Sequence, residues 1–358
     1  MSRNSWIDII RAFAAFSVLL THIGNVYSET MIGHSLVKIL RFLHDNLVWV
    51  NEGLHSGVII FIVLSGFCIH TSAINIKKSN FKKIYTIRRF FRIFPLLLFS
   101  ISFGYLAYGL TNDFSWVIVK NFIFNIFLLH SIVPSIGPLG NEILGTVIVE
   151  CMLYILYPFI ILHLRGRWVV LFIFLLALHI LSFLTLLLGF DPVWVERNVF
   201  TVLIYWWIGV FVAELYVNSP YRIWNKYNDN VSIKYKIFIG FCFYIFYILM
   251  CNYIEFEGSH IIKSFLLVIL IAYILTWILQ LKSRSNLFMR SFEKLGLISY
   301  SVYVLQLPII ILTQYFISTD KYFLIYSCLF TILFSILCFV VIEKPSHDYG
   351  KKLSKRYF

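Results

Sequence analysis

Asp8, Arg11 and His22 stand inside the first apolar run of the chain, where an ionisable side chain is costly and therefore marks a functional candidate. Asp8 and Arg11 are three residues apart, share a helix face and can pair. Arg11 and His22 are eleven apart, close to three full turns, so one stripe carries both, displaced by roughly 16 Å along the axis. An anion-binding group then sits near the inner end of the span and a titratable imidazole near the outer end. Glu150, in ILGTVIVECMLYILYP, lies roughly 10 Å below the outer start of its own span, a depth similar to that of His22. A histidine and a carboxylate at matched depth are a candidate general acid–base pair.

Each of these residues also has a plainer reading. Arg11 could snorkel to the inner headgroups, His22 could bond a neighbouring helix, and Glu150 could be a protonated structural hydrogen-bonder. Arg88, Arg89 and Arg92 precede Ile93-Phe94-Pro95, where a span begins. They read either as topological charge or as a phosphate clamp, because guanidinium forks match phosphate oxygens. Ser65-Gly66 in FIVLSGF is a small pair that serves close helix packing or substrate contact. His70 and His179 read as helix-packing histidines, and Glu214 as a carboxylate near a helix end that reaches water.

The elements that must position these groups follow from composition. Apolar residues make up 60% of the chain and charged residues 13%, with 36 Phe. A soluble globular chain carries about 25% charged residues, so this one could not cover its surface in water. Disorder and a secreted disulfide scaffold are excluded on the same ground. The fold class is all-α, a polytopic membrane helix bundle. The net charge of +13 sits in short basic blocks between apolar runs, an arrangement that bilayer topology predicts and nucleic-acid binding does not require. Cys68, Cys151, Cys242, Cys251, Cys328 and Cys338 lie in or beside apolar runs without CxxC spacing, so they read as buried small hydrophobes with no zinc or disulfide role. No metal site is expected. The first apolar run is not a cleavable signal, because Asp8 and Arg11 interrupt it.

A span needs about 20 apolar residues. Candidates are 6–26, 56–74, 93–111, 143–162, 168–190, 198–217, 236–253, 261–279, 297–317 and 322–342, about ten in all. The run 114–131 is ambiguous, since Lys120, Asn121 and Asn125 interrupt it. The segment KKSNFKKIYTIRRFFR carries seven Lys or Arg and no acid, which puts it in the cytoplasm. If 114–131 does not cross, all Lys and Arg except Lys38, Arg41, Lys120, Arg197, Lys263 and Lys321 fall on that side. Both termini are then cytoplasmic, and 112–142 becomes an outer loop that is re-entrant or lies on the surface. Residues 1–345 form one membrane domain, and 346–358 a short basic cytoplasmic tail without a fused soluble domain.

The motifs resemble those of a known family when taken in order. SWIDIIRAFAAFSVLLTH resembles the opening of the acyltransferase family 3 integral membrane proteins, with Arg11 and His22 at the family's Arg and His. SGVIIFIVLSGFCIH, RRFFRIFP, VIVECMLYILYP, GLISYSVYVLQLP and the closing IEKP resemble its later signatures, covering residues 6 to 345. Three positions depart from the pattern. Gly145-Thr146 replaces Trp-Ser, Ile59 replaces Asp, and Gln306 replaces His, which argues against proton transfer on the ninth span while leaving Gln306 able to position a sugar hydroxyl.

The resemblance implies an O-acyltransferase of the bacterial cytoplasmic (inner) membrane. It would move an acetyl group from acetyl-CoA to a hydroxyl of a surface glycan or lipid-linked glycan, such as O-antigen of lipopolysaccharide. The donor is a substrate; no permanently bound cofactor and no nucleic-acid partner is expected. Joined to the stripe, this assigns Arg11, Arg89 and Arg92 to the CoA phosphates and Asp8 to holding Arg11. His22 would be the general base or a transient acetyl acceptor, Glu150 its orienting carboxylate, and Ser65, Gly66 and Gln306 pocket residues. A transporter or flippase for a lipid-linked glycan is the alternative. It too needs buried charge, but such folds commonly show paired inverted repeats, which this sequence lacks.

Overall fold

A computed structural model describes residues 4–28, 54–74, 76, 80–112, 115–131, 137–190, 192–217, 233–253, 256, 258–279, 287–317 and 322–357. Lys38, Arg41, Lys321 and most of the 27–55 segment expected at the outer face lie outside the described residues. Among those described there are helices and no strands. In chain order these are α1 (Ser5–Ser28), α2 (Ser56–Ala73), α3 (Phe81–Thr111), α4 (Trp116–Ile126), α5 (Leu144–Leu156), α6 (Trp168–Leu184) and α7 (Pro192–Arg197). They continue with α8 (Val199–Val217), α9 (Ile233–Tyr253), α10 (Ser259–Ile278), α11 (Leu287–Leu297), α12 (Ser299–Ile317), α13 (Phe323–Cys338) and α14 (Lys344–Ser354).

Eight of the described helices are long and apolar enough to cross a membrane, and the chain is a multi-pass membrane protein. The other two expected spans, 143–162 and 236–253, are also helical, with shorter apolar stretches at Leu144–Ile160 and Phe238–Cys251. The outward-facing sides of α6 and α9 are apolar: Val169, Ile173, Leu181, Phe238 and Phe241 are all exposed, the pattern of a surface solvated by lipid. α4 is only 11 residues long, about 16 Å, and cannot cross a core of about 30 Å. It buries Asn121 and Asn125 while leaving Trp116 81% exposed, so its polar face is the one turned inward. Asn125 donates to the Tyr105 hydroxyl at 3.1 Å and thereby ties α4 to α3.

Two helices run further than their apolar stretches predict. α3 begins at Phe81, twelve residues before the expected span, so the basic block is on the helix and not in a loop. Past α13, a π-turn at Phe339–Glu343 leads directly into α14. The segment expected as a basic tail is therefore an ordered helix. It docks on α3, where Arg88 Nε donates to Ser354 Oγ at 3.0 Å and Asn80 Nδ2 donates to the Tyr357 carbonyl at 2.6 Å.

Prolines place the polar anchors of the core. Pro308 in α12 has no N–H for the carbonyl of Val304, four residues back. That buried carbonyl instead accepts from Ser100 Oγ at 2.5 Å and Asn141 Nδ2 at 2.8 Å, fastening α3 and the approach to α5 onto α12. Pro158 frees the carbonyl of Tyr154 in the same way. The Tyr85 hydroxyl on α3 donates to it at 2.9 Å, and the chain continues as a π-turn over Tyr157–Ile161.

The tightest helix pair is α2 with α8. A Cβ on Gly66 would overlap the Trp206 carbonyl, and one on Gly209 would overlap the Val63 carbonyl, so each helix needs its glycine for the two backbones to meet. Gly66 is thus a packing residue.

Candidate active site

Two adjoining cavities run from the end of the bundle that carries the basic segments into its core. The mouth has a volume of about 820 Å³ and takes its walls from α1, α2, α3 and α14. The inner chamber, about 100 Å³, reaches Ser65, Thr146, Glu150, Tyr154 and Tyr303. Arg11, Cys68, Arg92 and Glu343 line both and form the neck between them.

The expected stripe on α1 is only partly a cavity wall. Arg11 reaches Asp8 at 4.0 Å, the anticipated i,i+3 pair, and both face the mouth. His22 lies half-buried on the same helix and lines neither of these two cavities. Its neighbour Thr21 is held by His55, the residue that opens α2. Nδ1 of His55 accepts from the Gly57 N–H at 3.0 Å, which leaves its Nε2–H to donate to Thr21 Oγ1, also at 3.0 Å.

On α3, three arginines within little more than one turn take different tasks. Arg92 lines both cavities. Arg89 lines the inner chamber, donates to Ser72 Oγ and stacks its guanidinium 5.9 Å from the Tyr85 ring centre. Arg88 faces the mouth and α14.

Glu150 is one end of a polarised hydrogen-bond chain. The Trp206 indole N–H can only donate, and it does so to Ser65 Oγ at 3.2 Å. Tyr154 donates its one hydroxyl proton to Glu150 Oε1, so Ser65 donates to the Tyr154 hydroxyl, 2.9 Å away. The chain ends on the carboxylate within the inner chamber. On the facing wall, the Thr146 and Tyr303 hydroxyls are 2.6 Å apart. Gly145, one of the departures from the expected motif, makes room for the His130 ring, whose Nε2 would lie 2.7 Å from an added Cβ. Ile59 is fully buried in the apolar core. Gln306 is also fully buried, but its amide donates to the Tyr303 carbonyl on its own helix at 3.1 Å and it lines neither cavity.

Sequence reasoning passes over several residues that the site contains. Glu343, in the IEKP motif, accepts from Ser301 Oγ at 2.5 Å at the neck beside Arg11 and Arg92. Tyr154 carried its own signal, one turn from Glu150, whereas Trp206 and Tyr303 are brought in by helix packing that no local pattern announces. Glu214 differs from expectation: it is mostly buried, held between His70, whose Nε2 lies 2.5 Å from it, and Arg165 of the turn before α6 at 3.2 Å. His70 is enclosed by this pair and by the Tyr157 hydroxyl at 2.8 Å. His179 bonds the Thr201 carbonyl at 3.1 Å, a packing contact as expected.

The far end of the bundle holds a separate buried group. Glu196 on α7 accepts from Ser264 Oγ at 2.5 Å and lies 4.0 Å from His260 Nε2. Burial raises its carboxyl to about 7, against the lowering effects of the Leu54 N–H, Ser264 and Arg197.

A cationic mouth leading through a narrow neck to a carboxylate is an arrangement suited to an anionic carrier with a long reactive arm. A family model described as an acyltransferase domain matches residues 4–343, nearly the whole chain. The chain belongs to acyltransferase family 3. Neither a curated protein nor a solved structure matches it. In this membrane acyltransferase, Arg11, Arg89, Arg92 and Glu150 meet around one pair of cavities, while His22 stands further along α1.

Proposed function

We propose that this membrane acyltransferase moves an acetyl group from acetyl-CoA to a hydroxyl of a cell-surface glycan, such as the O-antigen of lipopolysaccharide, across the bacterial cytoplasmic membrane. The basic end of the bundle then faces the cytoplasm with both termini, as the distribution of Lys and Arg favours. One observation carries the reading: the two cavities are joined at a neck that contains Arg11 and Arg92, and the inner one holds Glu150. The CoA phosphates sit with Arg11, Arg89 and Arg92, and Asp8 keeps Arg11 in place. The pantetheine arm passes the neck and presents the thioester to the chamber.

The acceptor oxygen attacks the thioester carbonyl, a C–O bond forms, and the C–S bond breaks. His22 takes the hydroxyl proton, Glu150 supports the resulting positive charge, and the departing thiolate is reprotonated. His22 belongs to this scheme through its place on the Arg11 stripe, roughly 16 Å toward the acceptor side. The test is transfer of radiolabelled acetyl from acetyl-CoA to the glycan fraction by membranes containing the protein. His22→Ala should abolish transfer at unchanged protein level. Normal labelling by that variant overturns the role of His22, and glycan translocation without labelling overturns the acyltransfer to a glycan.

A further inference from the structure

The family match ends at Glu343, and the mouth does not. α14, which follows directly, contributes Lys344, His347, Asp348 and Lys351 to the mouth. These positions are spaced i, i+3, i+4 and i+7, one face of a helix. α14 is anchored on α3 by the Arg88–Ser354 bond, below the last of these positions, and by the Phe91 and Tyr349 rings, whose centres are 5.1 Å apart. These contacts hold the face against the mouth that Arg11 also lines.

The cations of the mouth lie in two tiers. Arg11 and Arg92 are at the neck, shared with the inner chamber, while Arg88, Lys344 and Lys351 touch the mouth alone. Asp348 pairs with Lys351 at 4.0 Å in an exposed position, a contact too weak to remove that lysine from a phosphate. A CoA molecule is also tiered. Its diphosphate lies nearer the thioester and its ribose 3′-phosphate lies at the distal end.

Resting on the donor reading above, we propose that α14 is a recognition wall for the ribose 3′-phosphate, with Lys344 and Lys351 as its principal contacts, and the neck arginines take the diphosphate. α14 thereby selects CoA over nucleotide carriers that lack this group.

The experiment is equilibrium binding of CoA and of 3′-dephospho-CoA to the full chain in nanodiscs. The wild type should bind CoA more tightly. The double variant Lys344→Gln/Lys351→Gln should lose on the order of tenfold in CoA affinity, the scale of one or two charge-assisted contacts, and bind dephospho-CoA as before. Unchanged dephospho-CoA binding also shows that the variant is folded, and Lys344→Arg/Lys351→Arg should retain the preference. Equal loss for both ligands, or no loss for either, overturns the recognition wall and leaves the donor reading standing. A wild type that binds neither form overturns both.

Discussion

Tyr154 stands one turn beyond Glu150 on α5 and donates its hydroxyl to that carboxylate, having itself accepted from Ser65. Because Tyr154 spends its one hydroxyl proton on Glu150, Ser65 has to donate to Tyr154, and the indole N–H of Trp206 closes the chain on Ser65. Tyr154→Phe keeps the ring and removes the donor. Acetyl transfer should fall by roughly 10–100-fold with donor KM unchanged, the signature of a contact that acts on the reacting state. Ser65→Thr, which retains a hydroxyl, should keep most of the activity that Ser65→Ala loses. Rate measurements on membranes with labelled donor decide it, and a Tyr154→Phe protein of normal rate removes the chain from the mechanism.

Arg92 should show the opposite split. It lines both cavities, and the donor reading assigns its fork to a phosphate at the neck. Arg92→Gln should raise donor KM about 10–100-fold with a smaller change in kcat, and Arg92→Lys should recover it only in part because the bidentate geometry is lost. A variant with unaltered KM would remove Arg92 from the donor site.

Gly66→Ala tests packing in place of chemistry. The added methyl overlaps the Trp206 carbonyl, so α2 and α8 must separate. A loss of about 1–3 kcal/mol is expected, read as a lower unfolding temperature in detergent. Gly209→Ala should behave alike, since it forces the same two helices apart at the Val63 carbonyl. An unchanged unfolding temperature for both would contradict this close approach.

Glu196 predicts a pH dependence away from the site. Its carboxyl is raised to about 7 in the fold, chiefly by burial, from an ordinary value near 4.5. The folded state therefore holds a proton that the unfolded chain has released. Its contribution is fully present below about 4.5 and is lost as pH rises through about 7, by on the order of a few kcal/mol. Glu196→Gln should flatten the unfolding temperature between pH 5 and 7 relative to wild type. Parallel pH curves for the two proteins would show that Glu196 does not titrate there.

The part of this molecule that is legible in sequence is the part governed by local rules. Buried charge is costly wherever it stands, so Asp8, Arg11 and Glu150 announce themselves against an apolar background, and each faces a cavity. The fold class follows from composition, and the Lys and Arg distribution argues against a crossing at 114–131, where the helix is 11 residues long. What eludes the sequence depends on distant packing. Glu214 looks like a helix-end carboxylate until α2 and the turn before α6 bring His70 and Arg165 to it. Gln306 looks like a pocket residue, yet its amide turns back onto its own helix. The 346–358 segment reads as a tail because its charge hides the shape of a helix that packs on Phe91 and Asn80.

The neck shared by Arg11 and Arg92 bears on permeability. A cavity that runs from one end of a bundle deep into a bilayer is a potential leak for protons and sodium ions. Where the two cavities share their walls it presents two guanidinium groups, with the Glu343 carboxylate beside them. Fixed positive charge in a constriction opposes cation passage, as an arginine does in pores that exclude protons. On the donor reading, the pair that would draw an anionic carrier would by the same charge oppose cation leak through the bundle.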